Sequence, residues 1–239
     1  MQQILWLDTE TLSLDPTVAS ISEIAYIPEV LGELYDVNAF PVQPILHSED
    51  KIYGGCPIEE VIQEYNKNLH AQAPEQLQSF SFPKGSPLFF YSRNALTFNV
   101  TPPDIRDPSE WLLRPESLSA RMALEQLIAD LDAFTTSPTA RWMLAGHNVK
   151  FDYDVLCRWA VRILGEKEAK IHLFDKINSY AFLDTLSLVR WGMYDGTLPI
   201  KNARLETVAK YFNLDHKQHT AKADVLACRE ISRKLRGLP

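Results

Sequence analysis

The chain opens on a continuous apolar run, Ile4-Leu5-Trp6-Leu7, that stops at Asp8. A run this short predicts a buried strand over Ile4 to Asp8. Ile21 to Ile27 and Leu34 to Val42 read as two further strands, with turn-forming residues around Asp15-Pro16 and Leu31-Gly32 between them. Three consecutive strands with short connections predict an antiparallel meander. The pattern then breaks from about residue 43 to 116. The stretch from Pro41 to Pro115 holds ten of the chain's fifteen prolines and many aromatics, and only Ile58 to Leu69 reads as a helix there.

Periodicity returns with Leu124, Leu127, Ile128, Leu131 and Phe134, which recur at the spacing of one helical face. Trp142 to Ala145 reads as a buried strand. Val155, Leu156, Trp159, Ala160 and Ile163 mark a second amphipathic helix that ends near Gly165. Tyr180 to Leu183 is a fifth strand, followed by helices over about Leu205 to Phe212 and Ala221 to Leu235. Strands first and helix–strand alternation afterwards predict an α/β fold with a mixed five-stranded sheet flanked by helices. The expected organisation is a single domain over residues 1–239, carrying a Pro- and aromatic-rich insertion at about 47–94.

Composition narrows the function classes. With 239 residues and 46% hydrophobic content the chain can bury a sizeable core. A net charge of −7 argues against gripping nucleic acid through a broad basic surface. It is compatible with a nuclease, because carboxylates that hold a cation make the bare sequence more acidic than the loaded protein. Cys56, Cys157 and Cys228 are odd in number and widely spaced, so they fit neither a disulfide framework nor a zinc cluster. No basic leader precedes the first apolar run, and no stretch approaches the ~18 apolar residues of a membrane helix. The expectation is a cytoplasmic protein with no membrane partner.

Candidate chemistry begins at the first strand. Residues two apart on a strand share a face, so Asp8 and Glu10 project together while Thr9 points away. Such pairs also arise by chance on solvated strands. Here the preceding apolar run suggests a central strand, where an unpaired acid is expensive. Asp152 stands at the start of its helix, where a carboxylate is favoured by the dipole and can also serve as an ordinary cap. Asp184 reads as a strand-end cap, and Asp154 as a less favoured acid. His219 and Asp224 are five apart, roughly 140° on one continuous helix, and could not easily converge there. With Thr220 as N-cap, His219 falls in the preceding loop and Asp224 in the first turn, with Val225, Cys228, Ile231 and Leu235 facing the core. A lone histidine in that place is otherwise a capping or surface residue.

Taken together, three segments resemble the DEDDh branch of the DnaQ-like proofreading exonuclease superfamily, whose members share an RNase H-like fold. The matches are Asp8-Thr9-Glu10, His147-Asn148-Val149-Lys150-Phe151-Asp152, and His219-Thr220-Ala221-Lys222-Ala223-Asp224. Three motifs in the right order are far more specific than any one. The resemblance covers roughly residues 1–45 and 95–236. Where relatives often have Thr-Gly-Leu after the first motif, this chain has Leu12-Ser13-Leu14, and the span before the second motif is longer than in compact members.

The resemblance implies a 3′→5′ exonuclease that uses two divalent ions, Mg2+ or Mn2+, and releases nucleoside 5′-monophosphates. In that reading Asp8 bridges the ions, Glu10 and Asp224 hold the one beside the attacking water, Asp152 supports the second, and His219 is the general base. The implied partner is the 3′ end of a single-stranded nucleic acid, DNA favoured over RNA, with a polymerase or another replication or repair protein as a possible companion. Thr11, Leu12 and Asn148 carry over as substrate contacts, although Leu12 equally fits a core position. Aromatics such as Tyr53 and Phe89 in the insertion, and Trp111 beyond it, either stack bases or build a small satellite core. Arg229, Arg233, Lys234 and Arg236 either touch nucleic acid or complement a helix C-terminus. The alternatives are a 3′→5′ exoribonuclease resembling RNase T or oligoribonuclease, and a catalytically silent nucleic-acid-binding or assembly module.

Overall fold

A single strand, β1 (Gln3–Thr11), occupies the centre of the sheet. The computed structural model describes residues 3–11, 21–43, 117–216 and 220–237. β1 pairs antiparallel with β2 (Ile21–Val30) and parallel with β6 (Trp142–Gly146). On the β2 side follow β3 (Glu33–Leu34), β4 (Asn38–Gln43) and β5 (Leu118–Ser119); on the β6 side lies β7 (Ile177–Asp184). Among the described residues the mixed sheet thus has seven strands, in the order β5-β4-β2-β1-β6-β7 with β3 on β2. Five of them are the strands expected from the sequence. The other two are only two residues long, too short to leave a periodic signal.

The expected strand over Leu34 to Val42 is split. Leu31 and Gly32 both take positive φ, 56° and 85°, as a tight hairpin turn requires. That turn brings Glu33 and Leu34 back onto Val30 and Glu29. The chain then leaves the ladder at residues 35–37 and re-pairs as β4 against residues 23–26 of β2. Pro28, which has no N–H to give, falls in the stretch of β2 between these two pairings.

Both faces of the sheet are covered, which is why β1 reads as a continuous apolar run. Leu5 and Leu7 pack into the larger core with α1 (Ala120–Phe134) and α2 (Val149–Leu164). α1 is pinned by Asp130, which accepts from the Tyr26 hydroxyl at 2.6 Å and the Asn38 amide at 3.1 Å. α2 ends at Gly165, as expected, and is followed by α3 (Glu166–His172). Ile4 and Trp6 face the opposite side, with Ala25, Ile27, Ala221, Val225 and Cys228. That side is covered by α6 (Ala221–Leu235), against which α4 (Thr185–Tyr194) and α5 (Leu205–Tyr211) pack. No helix of the described residues is long and apolar enough to cross a membrane.

The parallel strands β1, β6 and β7 all end at the same edge, where open α/β sheets place their ligands. Gly146 closes β6 there. A Cβ on it would lie 2.7 Å from the Leu7 carbonyl oxygen, so only glycine lets β6 approach β1 this closely before the chain turns into α2. The proposed insertion at 47–94 and its helix over Ile58 to Leu69 lie outside the described residues.

Candidate active site

At that edge β1 delivers Asp8 and Glu10 to one face, as the two-residue period requires. The first turn of α6 brings Asp224 to meet them. Thr220 caps this helix, its side chain accepting from the Ala223 amide at 3.3 Å, so the carboxylate of Asp224 benefits from the positive end of the dipole. One ligand atom each from Asp8, Glu10 and Asp224 lies within 4.8 Å of the others.

Asp152 approaches β1 from α2. The N-cap position of α2 belongs to Asn148, in the left-handed region at φ 68° and without a side-chain capping bond. Asp152 therefore does not cap its own helix. One of its carboxylate oxygens accepts from both the backbone N–H of Thr9 at 3.0 Å and the Thr9 hydroxyl at 2.7 Å. Thr9, pointing away from Asp8 and Glu10, thereby anchors the fourth acid to the same strand.

Among the described residues, the acids of the site repel one another. Burial pushes Asp8 well above the usual carboxylate range, and Asp152, Asp224, Glu10 and Glu23 push it further. Glu10 rises to about 8, through burial first and then Asp224, Glu23 and Asp152. Asp152 rises to about 7 through burial, although its bonds from Thr9 pull the other way. Glu10 is 7% exposed, and no described residue donates a hydrogen bond to its side chain. A buried carboxylate without a donor is costly unless a cation or proton compensates it.

The donor set fits a hard divalent ion, because it offers only carboxylate oxygens. Cys228, one turn beyond Asp224, adds no sulfur ligand. Burial and the charges of Asp8, Asp224 and Asp152 raise its pKa and keep it a neutral thiol.

Two further residues stand beside these acids that the sequence reading does not single out. Glu23 stands directly across the β1–β2 ladder from Glu10; its only signal in the sequence is a lone acid inside an apolar strand. His216 is 6% exposed at its side chain and places Nε2 2.5 Å from an Asp224 carboxylate oxygen. It lies eight residues before Asp224, and no spacing argument singled it out. His219 and Leu12 lie outside the described residues. Thr11 is buried, next to a register shift between Glu10 and Thr11; irregularities of this kind gather beside functional sites. Asn148 is exposed, and its backbone N–H donates to Asp184 at 2.7 Å.

Other polar residues have structural occupations. Asp184 caps α4 by accepting from the amides of Leu186 and Ser187. His147 donates from Nε2 to the Ala203 carbonyl at 2.8 Å and bonds Thr185 through Nδ1; burial lowers its pKa. Asp154 pairs with Lys150 on the surface of α2. In the basic group on α6, Arg229 and Arg233 both reach Glu230.

The fold is similar to that of part of exonuclease I. The product-bound structure of exonuclease I matches with a TM-score of 0.58 and 16% identity, covering 98% of this chain and 43% of that one. Escherichia coli exonuclease I in complex with a dT13 oligonucleotide gives a TM-score of 0.57 and 15% identity, covering 99% and 41%. An ExoI/SSB-Ct complex gives a TM-score of 0.57 and 16% identity, covering 99% and 42%. The chain therefore spans about two fifths of the length of these proteins. No family model and no curated protein matches the sequence.

Proposed function

We propose that this chain is a metal-dependent 3′→5′ exonuclease that removes nucleoside 5′-monophosphates from single-stranded DNA. The observation that carries this reading is the convergence of Asp8, Glu10 and Asp224 within 4.8 Å at the ligand-binding edge of the sheet, with Asp152 tied to the same strand through Thr9. The fold shared with exonuclease I, one structure of which holds a dT13 oligonucleotide, supports the choice of DNA. The SSB-Ct complex of exonuclease I supports a replication or repair partner.

Asp8, Glu10 and Asp224 would hold one divalent ion, and Asp8 with Asp152 a second. Such a pair supplies Lewis acidity, activating water on one side of the phosphodiester and neutralising the leaving oxygen on the other. The protein's own contribution is to fix these carboxylates. The Thr9 bonds orient Asp152, and the α6 N-terminus fixes Asp224 while favouring its charge. His219, the residue before Thr220 in the sequence, is proposed as the general base. Water attacks phosphorus and loses a proton to His219, the bond from phosphorus to the 3′ oxygen breaks with its electron pair going to that oxygen, and the oxygen takes up a proton from solvent.

The test is degradation of 3′-labelled and 5′-labelled single-stranded DNA and matched RNA, with Mg2+, with chelator, and with Asp8→Ala. Mononucleotide release from the 3′ end that needs both Mg2+ and Asp8 is expected. Undiminished turnover in Asp8→Ala overturns the proposed ligand set. Preferential turnover of RNA replaces the DNA reading by an exoribonuclease. Binding without turnover of either polymer replaces it by a silent nucleic-acid-binding module.

A further inference from the structure

We infer that Glu23 is a fifth carboxylate of this centre and a positioning residue for the ion bound at Glu10. The inference rests on the proposed metal site and extends it to a strand that supplies none of the expected ligands. Its first support is register. Glu10 and Glu23 are direct partners in the antiparallel ladder, as Asp8 and Ala25 are. Directly paired residues project to the same face, and Ala25 lies with Ile4, Trp6 and Val225 on the α6 face. Glu23 therefore stands on the face where Asp8, Glu10 and Asp224 converge.

The second support is burial. Glu23 is 9% exposed and Glu10 7%, so neither acid can relieve repulsion by swinging into solvent. Like charges directly opposite on a ladder destabilise a sheet, and the central position of β1 and β2 leaves no slack to separate them. Glu10, like Asp8, has no side-chain hydrogen bond from a described residue, so a cation is what would compensate its charge. A cation there experiences Glu23 as well, because Glu23 stands directly opposite Glu10 on the same face of the sheet. Carboxylates just outside the ligand set commonly orient ligands and strengthen ion binding.

The measurement is Mn2+ binding by calorimetry to the wild-type chain and to Glu23→Gln, with thermal melts of both after chelator treatment. Glu23→Gln is expected to bind Mn2+ about 10-fold more weakly or worse and to melt at or above the wild-type temperature when ion-free, because a repulsion is gone. A merely structural Glu23 gives the opposite pattern, a lower melt with unchanged Mn2+ affinity, and that result overturns the inference. Should Glu23→Gln fail to fold, Glu23→Asp keeps the charge and shortens the reach by one methylene. Several-fold weaker Mn2+ binding in that variant supports the inference, and wild-type affinity overturns it. Absence of Mn2+ binding by the wild-type chain strikes instead at the proposed function, so the two failures are distinguishable.

Discussion

The two halves of β1 are built on opposite principles. From Ile4 to Leu7 every side chain is apolar and buried, alternating between the α6 face and the α1–α2 face. From Asp8 to Thr11 the same strand continues in the same ladder, yet it carries two carboxylates facing a third on α6 and a buried acid directly opposite. The first half stabilises the fold by removing apolar surface from water. The second opposes the fold electrostatically. Local choices that conflict with folding are expected at functional sites, and here the conflict begins at one residue, Asp8.

Substitutions in the two halves should therefore separate activity from stability. Asp8→Ala or Asp224→Ala is expected to abolish Mg2+-dependent turnover, and Asp8→Ala to leave the ion-free melting temperature unchanged or higher, because a ligand and a repulsion are lost together. Nuclease assays and chelator-treated melts check both halves of that statement. Next in size, His219→Ala is expected to lower the rate by ~10² to 10⁴, the usual contribution of a general base. Retention of the wild-type pH–rate profile in this variant would count against the assignment. In the apolar half, Leu5→Ala should cost about 2–5 kcal/mol of stability, read by denaturant unfolding, with Mn2+ affinity of the folded protein unchanged.

A separate effect is the dependence of ion-free stability on pH. Glu10 is raised from 4.5 to about 8 and Asp152 from 3.8 to about 7. Between those limits the folded protein holds protons that the unfolded chain has released, so stability falls as pH rises. The contribution is fully present below the unfolded values and is lost as pH passes the folded ones. Melts in chelator should drop from about pH 5 to about pH 8, and Mg2+ should restore most of the loss at the upper end. A melting temperature that rises across this window would contradict the electrostatic picture.

The same contrast explains what the sequence disclosed. Runs and periods are local, so β1, β2, β6, α2 and α6 were legible, with α6 spanning Ala221–Leu235 as expected. The convergence of Asp8 and Glu10 followed from the strand period alone. Features that depend on what lies across the sheet were not legible. The anchoring of Asp152 by Thr9 joins residues far apart in the chain, and the placement of Glu23 opposite Glu10 depends on ladder register. His216 gave no signal because it stands eight residues before Asp224, outside any strand or helical spacing. The split between β3 and β4 was missed because a two-residue strand has no period to detect.

The most direct test of the central claim, that the carboxyl end of β1 is a divalent-cation centre, is the anomalous difference map of crystals grown with Mn2+. The account predicts a peak among the carboxylates of Asp8, Glu10 and Asp224, and a second between Asp8 and Asp152. A map with no peak there, at Mn2+ concentrations that support turnover, would contradict it.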